Sequence, residues 1–353
     1  MRVETQLPLG KVDPGLRPAD TTVDMRTFGR QAELVERLGF DGLALTETKE
    51  DPIVALAVAA ERTERIRLST AVVIAFPRSP TAVALSAWTM SRLSGGRFTL
   101  GLGTQVKGHI ERRYGVRWSA PGPWIKEYVQ AVRAVWRTWQ EGVPLDHHGE
   151  HYDLTLMNPL FDPGPIEHPD IPVHLAAVRP GMARIGGEVA DGVRPHPICT
   201  RAYLEEVLRP AVDRGAAAAG RDPGAIEVVA SPLIVTAPTE RELEARVSDV
   251  RARISFYAST RTYRPVFAHH GWDDIAEELS TLSRAQRWAE MERLVSDEMV
   301  ETIAVVGTHD RIAERVWRRY QGVCSAVEFS LPVNGPADEE RMTAEVAAVR
   351  RGF

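Results

Sequence analysis

The apolar positions change period repeatedly along the chain. Arg2 to Leu7 reads as a short strand, followed by a loop rich in proline and glycine from Pro8 to Asp20. Asp24 then offers an N-cap to a helix in which Phe28, Ala32, Val35 and Leu38 fall on one face, and Gly39 stops it. Gly42 to Thr46 is apolar at successive positions, as strands buried on both faces are. A helix from Pro52 to about Arg62 and a strand from Arg67 to Ile74 follow. Ser79 and Pro80 open a further helix, which Gly95 and Gly96 close. Arg97 to Leu102 is the fourth strand, and Trp124, Tyr128, Val132, Val135 and Trp139 mark a long amphipathic helix.

The rhythm resumes with strands at Ile171–Ala177 and Gly192–Arg194. Between and after them lie helices at Met182–Val189 and Thr200–Ala219, the second with an expected bend at Pro210. Ile226–Thr236 is read as one strand, Glu240–Ala258 as a helix and Ala326–Leu331 as the last strand. Eight strands alternating with helices long enough to cross back over a sheet predict an α/β fold, a TIM-like (β/α)8 barrel formed by residues 1–353 as a single domain. Two segments interrupt it. Residues 143–172 carry Pro159, Pro163, Pro165 and Pro169 with Tyr152 and Phe161, which predicts an ordered flap, and residues 263–300 read as a helical insertion.

Composition narrows the function. The chain has 353 residues, 44% hydrophobic and 26% charged, the balance of a water-soluble globular protein. Its net charge of −5 and lack of a Lys/Arg run argue against nucleic acid as a partner. Two cysteines, Cys199 and Cys324, fit a reducing compartment. The first residues lack the apolar stretch of a signal peptide, and no apolar run is long enough for a membrane span, so a cytoplasmic location is expected.

In such a barrel the chemistry lies where the strands end. The expected positions are Gln6; Thr46, Glu47 and Thr48; Thr70 to Phe76; Thr104 and Gln105; Ala177 to Arg179; His196; Ser231 to Thr236; and Pro332 to Asn334. They include no Ser-His-Asp set and no carboxylate cluster for magnesium, and their small, amide and apolar groups suit a planar aromatic cofactor better than hydrolysis. His147, His148 and His151 lack the ligand spacing of a defined metal site, so no metal is expected. His174 reads as a core residue inside a strand. For His269-His270-Gly-Trp272 a structural role and a pocket wall both stand.

Four stretches carry a resemblance. Ala32-Glu-Leu-Val-Glu-Arg-Leu-Gly-Phe-Asp-Gly42, Leu93-Ser-Gly-Gly-Arg-Phe-Thr-Leu-Gly-Leu-Gly103, Glu111-Arg-Arg-Tyr-Gly-Val-Arg-Trp118, and the pair Ile171-Pro-Val-His-Leu-Ala-Ala177 with Gly187-Glu-Val-Ala-Asp-Gly192 resemble, in that order, the luciferase-like flavin and deazaflavin oxidoreductases of the bacterial-luciferase superfamily. The likeness covers most of the chain and is nearest to the branch that uses coenzyme F420. It implies an oxidoreductase moving a hydride to or from a small organic substrate. The resemblance leaves an FMN-dependent monooxygenase, in which reduced flavin meets oxygen, as the alternative, and a barrel that binds cofactor or ligand without catalysis as a second.

The resemblance also implies site residues. A non-proline cis peptide backing the ring maps to Thr70-Ala71 or one residue later. Thr46, Gly103, Thr104, Gln105 and Ala176 map to the ring's surroundings. The phosphate maps to the amides of Ala177, Val178 and Arg179 and the helix start at Gly181 and Met182. Glu47, Thr48, Gln105 and His196 stand at the catalytic positions, but relatives place His where Thr48 is and Glu near Gln105, so the proton-handling pair is partly missing. Glu47 is expected as proton donor if burial beside the ring raises its pKa. A homodimer through the helices beside the second and third strands is implied as well.

Overall fold

The computed structural model describes residues 1–10 and 24–353. The loop expected at Pro8–Asp20 therefore lies largely outside the described residues. Eight parallel barrel strands run β1 Arg2–Thr5, β2 Gly42–Leu45, β3 Arg67–Thr70 resumed at Val73–Ile74, β4 Phe98–Gly103, β5 Val173–Ala177, β6 Gly192–Pro195, β7 Glu227–Ala230 and β8 Ala326–Glu328. Each pairs with its neighbour in chain order. The β1–β8 ladder, Arg2 with Ala326 to Glu4 with Glu328, closes the ring. A closed sheet of this size leaves no open edge, and its interior is packed with side chains.

Local chemistry sets the helix ends. Asp24, Asp51 and Ser79 accept from first-turn amides of the helices Met25–Arg37, Pro52–Arg62 and Pro80–Ser94. Such caps are each worth about 1 kcal/mol. Gly95 takes the left-handed conformation at φ 61°, a position that glycine fills without a Cβ penalty. Phe28, Ala32, Val35 and Leu38 are buried, as their spacing predicts.

Several elements differ from the sequence reading. Ile226–Thr236 is two strands. β7 ends at Ala230, the chain turns at Ser231-Pro232, and Ile234–Ala237 pairs outside the barrel with Val305–Thr308. Proline has no N–H to donate, so a continuous ladder through Pro232 is disfavoured. The helix from Thr200 contains a π segment at Leu204–Leu208, immediately before Pro210. Three further helices, Lys107–Arg112, Ile312–Tyr320 and Pro336–Arg351, complete the chain. The segment 143–172 holds an antiparallel pair, His147–His148 with Asp153–Leu154. Glu127 fixes it by accepting from the amides of Glu150, His151 and Tyr152 at 2.7–3.1 Å. Residues 263–300 are helical at Arg264–His269, Asp273–Arg284, Trp288–Met291 and Asp297–Ile303. Among the described residues no helix is long and apolar enough to cross a membrane.

Candidate active site

Paired residues of parallel strands face the same side of a sheet, so the ladders identify what lines the barrel lumen. Glu4 on β1 crosses the lumen to Arg194 on β6, whose NH2 donates to Glu4 Oε2 and to Ser69 Oγ of β3, each at 2.9 Å. All three residues are at most 5% exposed. Gly42 pairs with Glu4, Ala44 with Ser69, Ala176 with Arg194 and Gly101 with His174. The β2, β4 and β5 wall of the lumen thus carries small residues at Gly42, Ala44, Gly101 and Ala176, with His174 facing inward among them, and Glu4 and Arg194 stand on other strands.

β3 breaks where this wall opens. The Ala71–Val72 peptide is cis and non-proline, the later of the two positions the sequence suggests. Val72 projects over β4, and a Cβ at Gly103 would lie 2.5 Å from Val72 Cγ2. At Gly101 a Cβ would lie 1.9 Å from the Thr70 carbonyl oxygen. Both glycines are therefore required for the close approach of β3 to β4. Thr70 is fully buried, its hydroxyl donating to Gly101 O and accepting from Gly101 N–H, both at 2.8 Å, so it ties the two strands rather than lining the mouth. Thr46 reaches the Ala71 carbonyl at 3.0 Å and Gln6 Oε1 at 3.3 Å.

The remaining strand ends separate into three groups. Glu47 accepts from Arg78 at 2.8 and 3.0 Å, from the Ile74 amide at 2.8 Å and from the Tyr114 hydroxyl at 3.3 Å. Burial and Glu47 together push the Tyr114 phenol up. These four bonds, one donor among them a cation, commit the Glu47 carboxyl to Arg78, Tyr114 and the Ile74 amide, so that it braces the loop after β3. Thr48 is exposed beyond it. Gln105 sits at φ 54°, a conformation uncommon outside glycine, and its side-chain oxygen accepts from its neighbour Val106 N–H at 3.0 Å. Thr104 turns its hydroxyl to the Gln105 carbonyl at 3.2 Å.

At β5, Ala176 faces Gly103, and Ala177 is buried. The Val178 carbonyl accepts from Tyr203 at 3.0 Å. The helix Pro180–Val189 follows with no side-chain cap, and a Cβ at Gly181 meets open space. Its first turn is exposed at Pro180 and Gly181, and Met182 is half-buried. Arg179 donates to the carbonyls of Arg261 and Thr262, tying this corner to the segment that leads into the helical insertion. His196 packs between Tyr257 and Tyr263, with ring centroids 4.6 and 4.3 Å away. His270 meets Thr200 at 2.8 Å and stacks on Trp272, which docks the insertion on the loop after β6.

Two inward residues lie outside the expected strand-end positions. Arg194 is one. Its Nε and NH1 are buried without a hydrogen-bond partner among the described residues. The other is Glu328 at the end of β8, which accepts from Gln6 Nε2 at 2.9 Å and from Ser231. Burial pushes its carboxyl above the usual range, against the bonds from Gln6 and Ser231 and the charge of Arg194. The available signal is a charge inside an apolar strand, at Glu4, Arg194 and Glu328. His174 is buried within β5 and held neutral by burial and three nearby arginines. His148 lies between Asp146 and Asp153, and among the described residues no group of three or more His, Cys, Asp and Glu could hold a metal ion.

A closed parallel barrel with a broken third strand agrees with a family model, luciferase-like monooxygenase, that matches residues 9–325. The chain belongs to this luciferase-like family. An uncharacterized protein of Mycobacterium tuberculosis is 41% identical over 320 residues, covering 91% of this chain and 93% of that one. A second protein of that organism, provisionally named a coenzyme F420-dependent oxidoreductase, is 30% identical over 336 residues, covering 88% and 92%. Among solved structures, the coenzyme F420 dependent tetrahydromethanopterin reductase of Methanopyrus kandleri superposes with a TM-score of 0.72 at 20% identity, covering 98% of this chain and 96% of that chain. This last likeness establishes the fold. Named luciferase-like relatives are oxidoreductases, and the family spans deazaflavin and flavin users.

Proposed function

We propose that this luciferase-like chain is a deazaflavin-dependent oxidoreductase that moves a hydride between coenzyme F420 and a small organic substrate. The observation that carries the reading is Arg194. A buried guanidinium whose Nε and NH1 have no partner among the described residues is costly, and a small shift that admits an acceptor-rich group to the lumen would offset that cost. The carbonyl-bearing edge of a planar ring is such a group, and Ala44, Gly101 and Ala176 present little side-chain bulk toward a flat ring face. The uncapped helix at Pro180, with Gly181 exposed, suits the phosphate that both candidate cofactors carry. Deazaflavin is preferred over FMN because of the 30% identical relative. When bound, the deazaflavin supplies a ring carbon that accepts or releases hydride, and the chain's part is to bind, orient and handle the proton.

Titrating the purified protein with coenzyme F420 and with FMN tests the reading. Tight F420 binding supports it, and FMN binding without F420 binding replaces it with a flavin monooxygenase. Binding of neither at micromolar concentration leaves a barrel without redox function. Gly181→Asp adds a negative charge where the Cβ meets open space, so the fold should stand while cofactor affinity falls by roughly tenfold. Unchanged affinity refutes the phosphate placement. We further propose a homodimer. Val54 and Val58 on the helix Pro52–Arg62, and Leu85 and Leu93 on Pro80–Ser94, are exposed apolar side chains on adjacent helices, and light scattering should give twice the chain mass.

A further inference from the structure

We infer that Glu328 is the side chain that exchanges the proton when hydride moves, filling the role left vacant at Thr48 and Gln105. The inference rests on the oxidoreductase reading above. Glu328 is paired in register with Glu4, whose carboxylate crosses the lumen, so Glu328 also points inward, at the mouth end of its strand. Its position relative to the broken third strand is fixed by a short chain of bonds. Gln6 donates to Glu328 and accepts from Thr46, and Thr46 lies 3.0 Å from the carbonyl of Ala71 in the cis peptide.

The other inward or strand-end carboxylates are committed to cations. Glu47 holds Arg78, Glu4 holds Arg194, and Glu227 holds Arg2 at 2.6 Å. Glu328 has two neutral hydrogen-bond partners, the Gln6 amide on β1 and the Ser231 hydroxyl after β7. Two charged groups bear on it with opposite effects. Arg194 on β6 favours its ionised form, and Glu4 on β1 opposes that form. A half-buried carboxyl with neutral partners retains its proton nearer neutrality than a paired one, which is what acid–base work requires.

With reduced deazaflavin bound, the cofactor would supply a hydride to the carbon of a substrate C=O or C=N bond and release its ring N–H proton to water. Glu328 would give its proton to the substrate heteroatom, forming the O–H or N–H bond as the C=O or C=N π bond breaks. The resulting Glu328 carboxylate would regain a proton from water at the mouth, which balances the one the cofactor releases. In the opposite direction Glu328 as carboxylate receives the proton.

Glu328→Gln preserves the size of the side chain and removes its proton. The test is a carbon-13 NMR titration of the whole chain labelled at glutamate Cδ, in which the resonance missing from the variant is Glu328. The expected midpoint lies above the ordinary carboxylate range and moves when oxidised coenzyme F420 or FMN is added. F420 should still bind Glu328→Gln, with the pH dependence of binding reduced. A midpoint in the ordinary range overturns the inference, as does a midpoint that neither cofactor moves although one binds. In both cases the cofactor reading survives. Failure of the wild-type chain to bind either cofactor overturns both readings. If the glutamine variant does not fold, Glu328→Asp serves for the assignment, because it retains a titrating carboxyl but removes the glutamate resonance.

Discussion

Replacing Glu4 with methionine removes a charge from the lumen while keeping an unbranched stem beside Gly42. Arg194 is then left 5% exposed with Ser69 as its one remaining hydrogen-bond partner among the described residues, where its Nε and NH1 are already unpaired. Breaking one side of a buried ion pair costs about 3–5 kcal/mol, because the remaining charge is neither solvated nor neutralised. At about 2.1 cal/mol/K per residue, unfolding of 353 residues carries an entropy of roughly 0.7 kcal/mol/K. The loss therefore corresponds to about 4–7 °C in Tm. Urea unfolding of the cofactor-free protein should show the midpoint fall with an unchanged slope. The double variant Glu4→Met/Arg194→Met buries no unpaired charge and should recover most of the loss. A single variant that loses less than about 1 kcal/mol, or a double variant no better than the single, refutes the argument that the pair is desolvated.

Three further outcomes follow from the geometry. Gly101→Ala forces β3 and β4 apart, because its Cβ would meet the Thr70 carbonyl oxygen at 1.9 Å. A loss of about 1–3 kcal/mol or more is expected in denaturant, with weakened cofactor binding. Trp124→Ala removes the stack on Phe76, with centroids 3.6 Å apart, and the bond to the Tyr152 hydroxyl. It should cost about 3–5 kcal/mol and expose residues 150–161 to limited proteolysis. His174 has its pKa well below 6.5 in the folded chain, so the unfolded chain binds the extra proton below that value, and the stability His174 contributes is lost as pH falls through 6.5. His174→Asn should flatten the pH dependence of the urea midpoint between pH 7 and 5, and an unchanged slope counts against a neutral buried imidazole.

The barrel was legible because its determinants are local. Caps at Asp24 and Ser79, the Gly95 stop and the apolar run Leu43 to Leu45 each act within a few residues. What escaped depends on distant partners. Pro232 marks the break after β7, but where Ile234–Ala237 goes is set by its pairing with Val305–Thr308, some seventy residues later. The site divides in the same way. The break after Thr70 is implied by the family resemblance alone, since the apolar pattern reads straight through from Arg67 to Ile74. The ion pairing that occupies Glu47 depends on Arg78 and Tyr114, whose approach no spacing announces. Arg194 and Glu328 lie within their strands, and their significance depends on Glu4, Ser69, Gln6 and Ser231, which come from other strands and loops.

The contact among Glu4, Ser69 and Arg194 joins three strands that are not neighbours in the sheet. Side chains alternate along a strand, so a slip of β6 by one residue would turn Arg194 out among the surrounding helices and bring Val193 or Pro195 into the lumen. Glu4 would then face the interior without its cation. The ion pair thereby discriminates against barrels closed with the wrong stagger, an error that an all-aliphatic lumen would tolerate at lower cost.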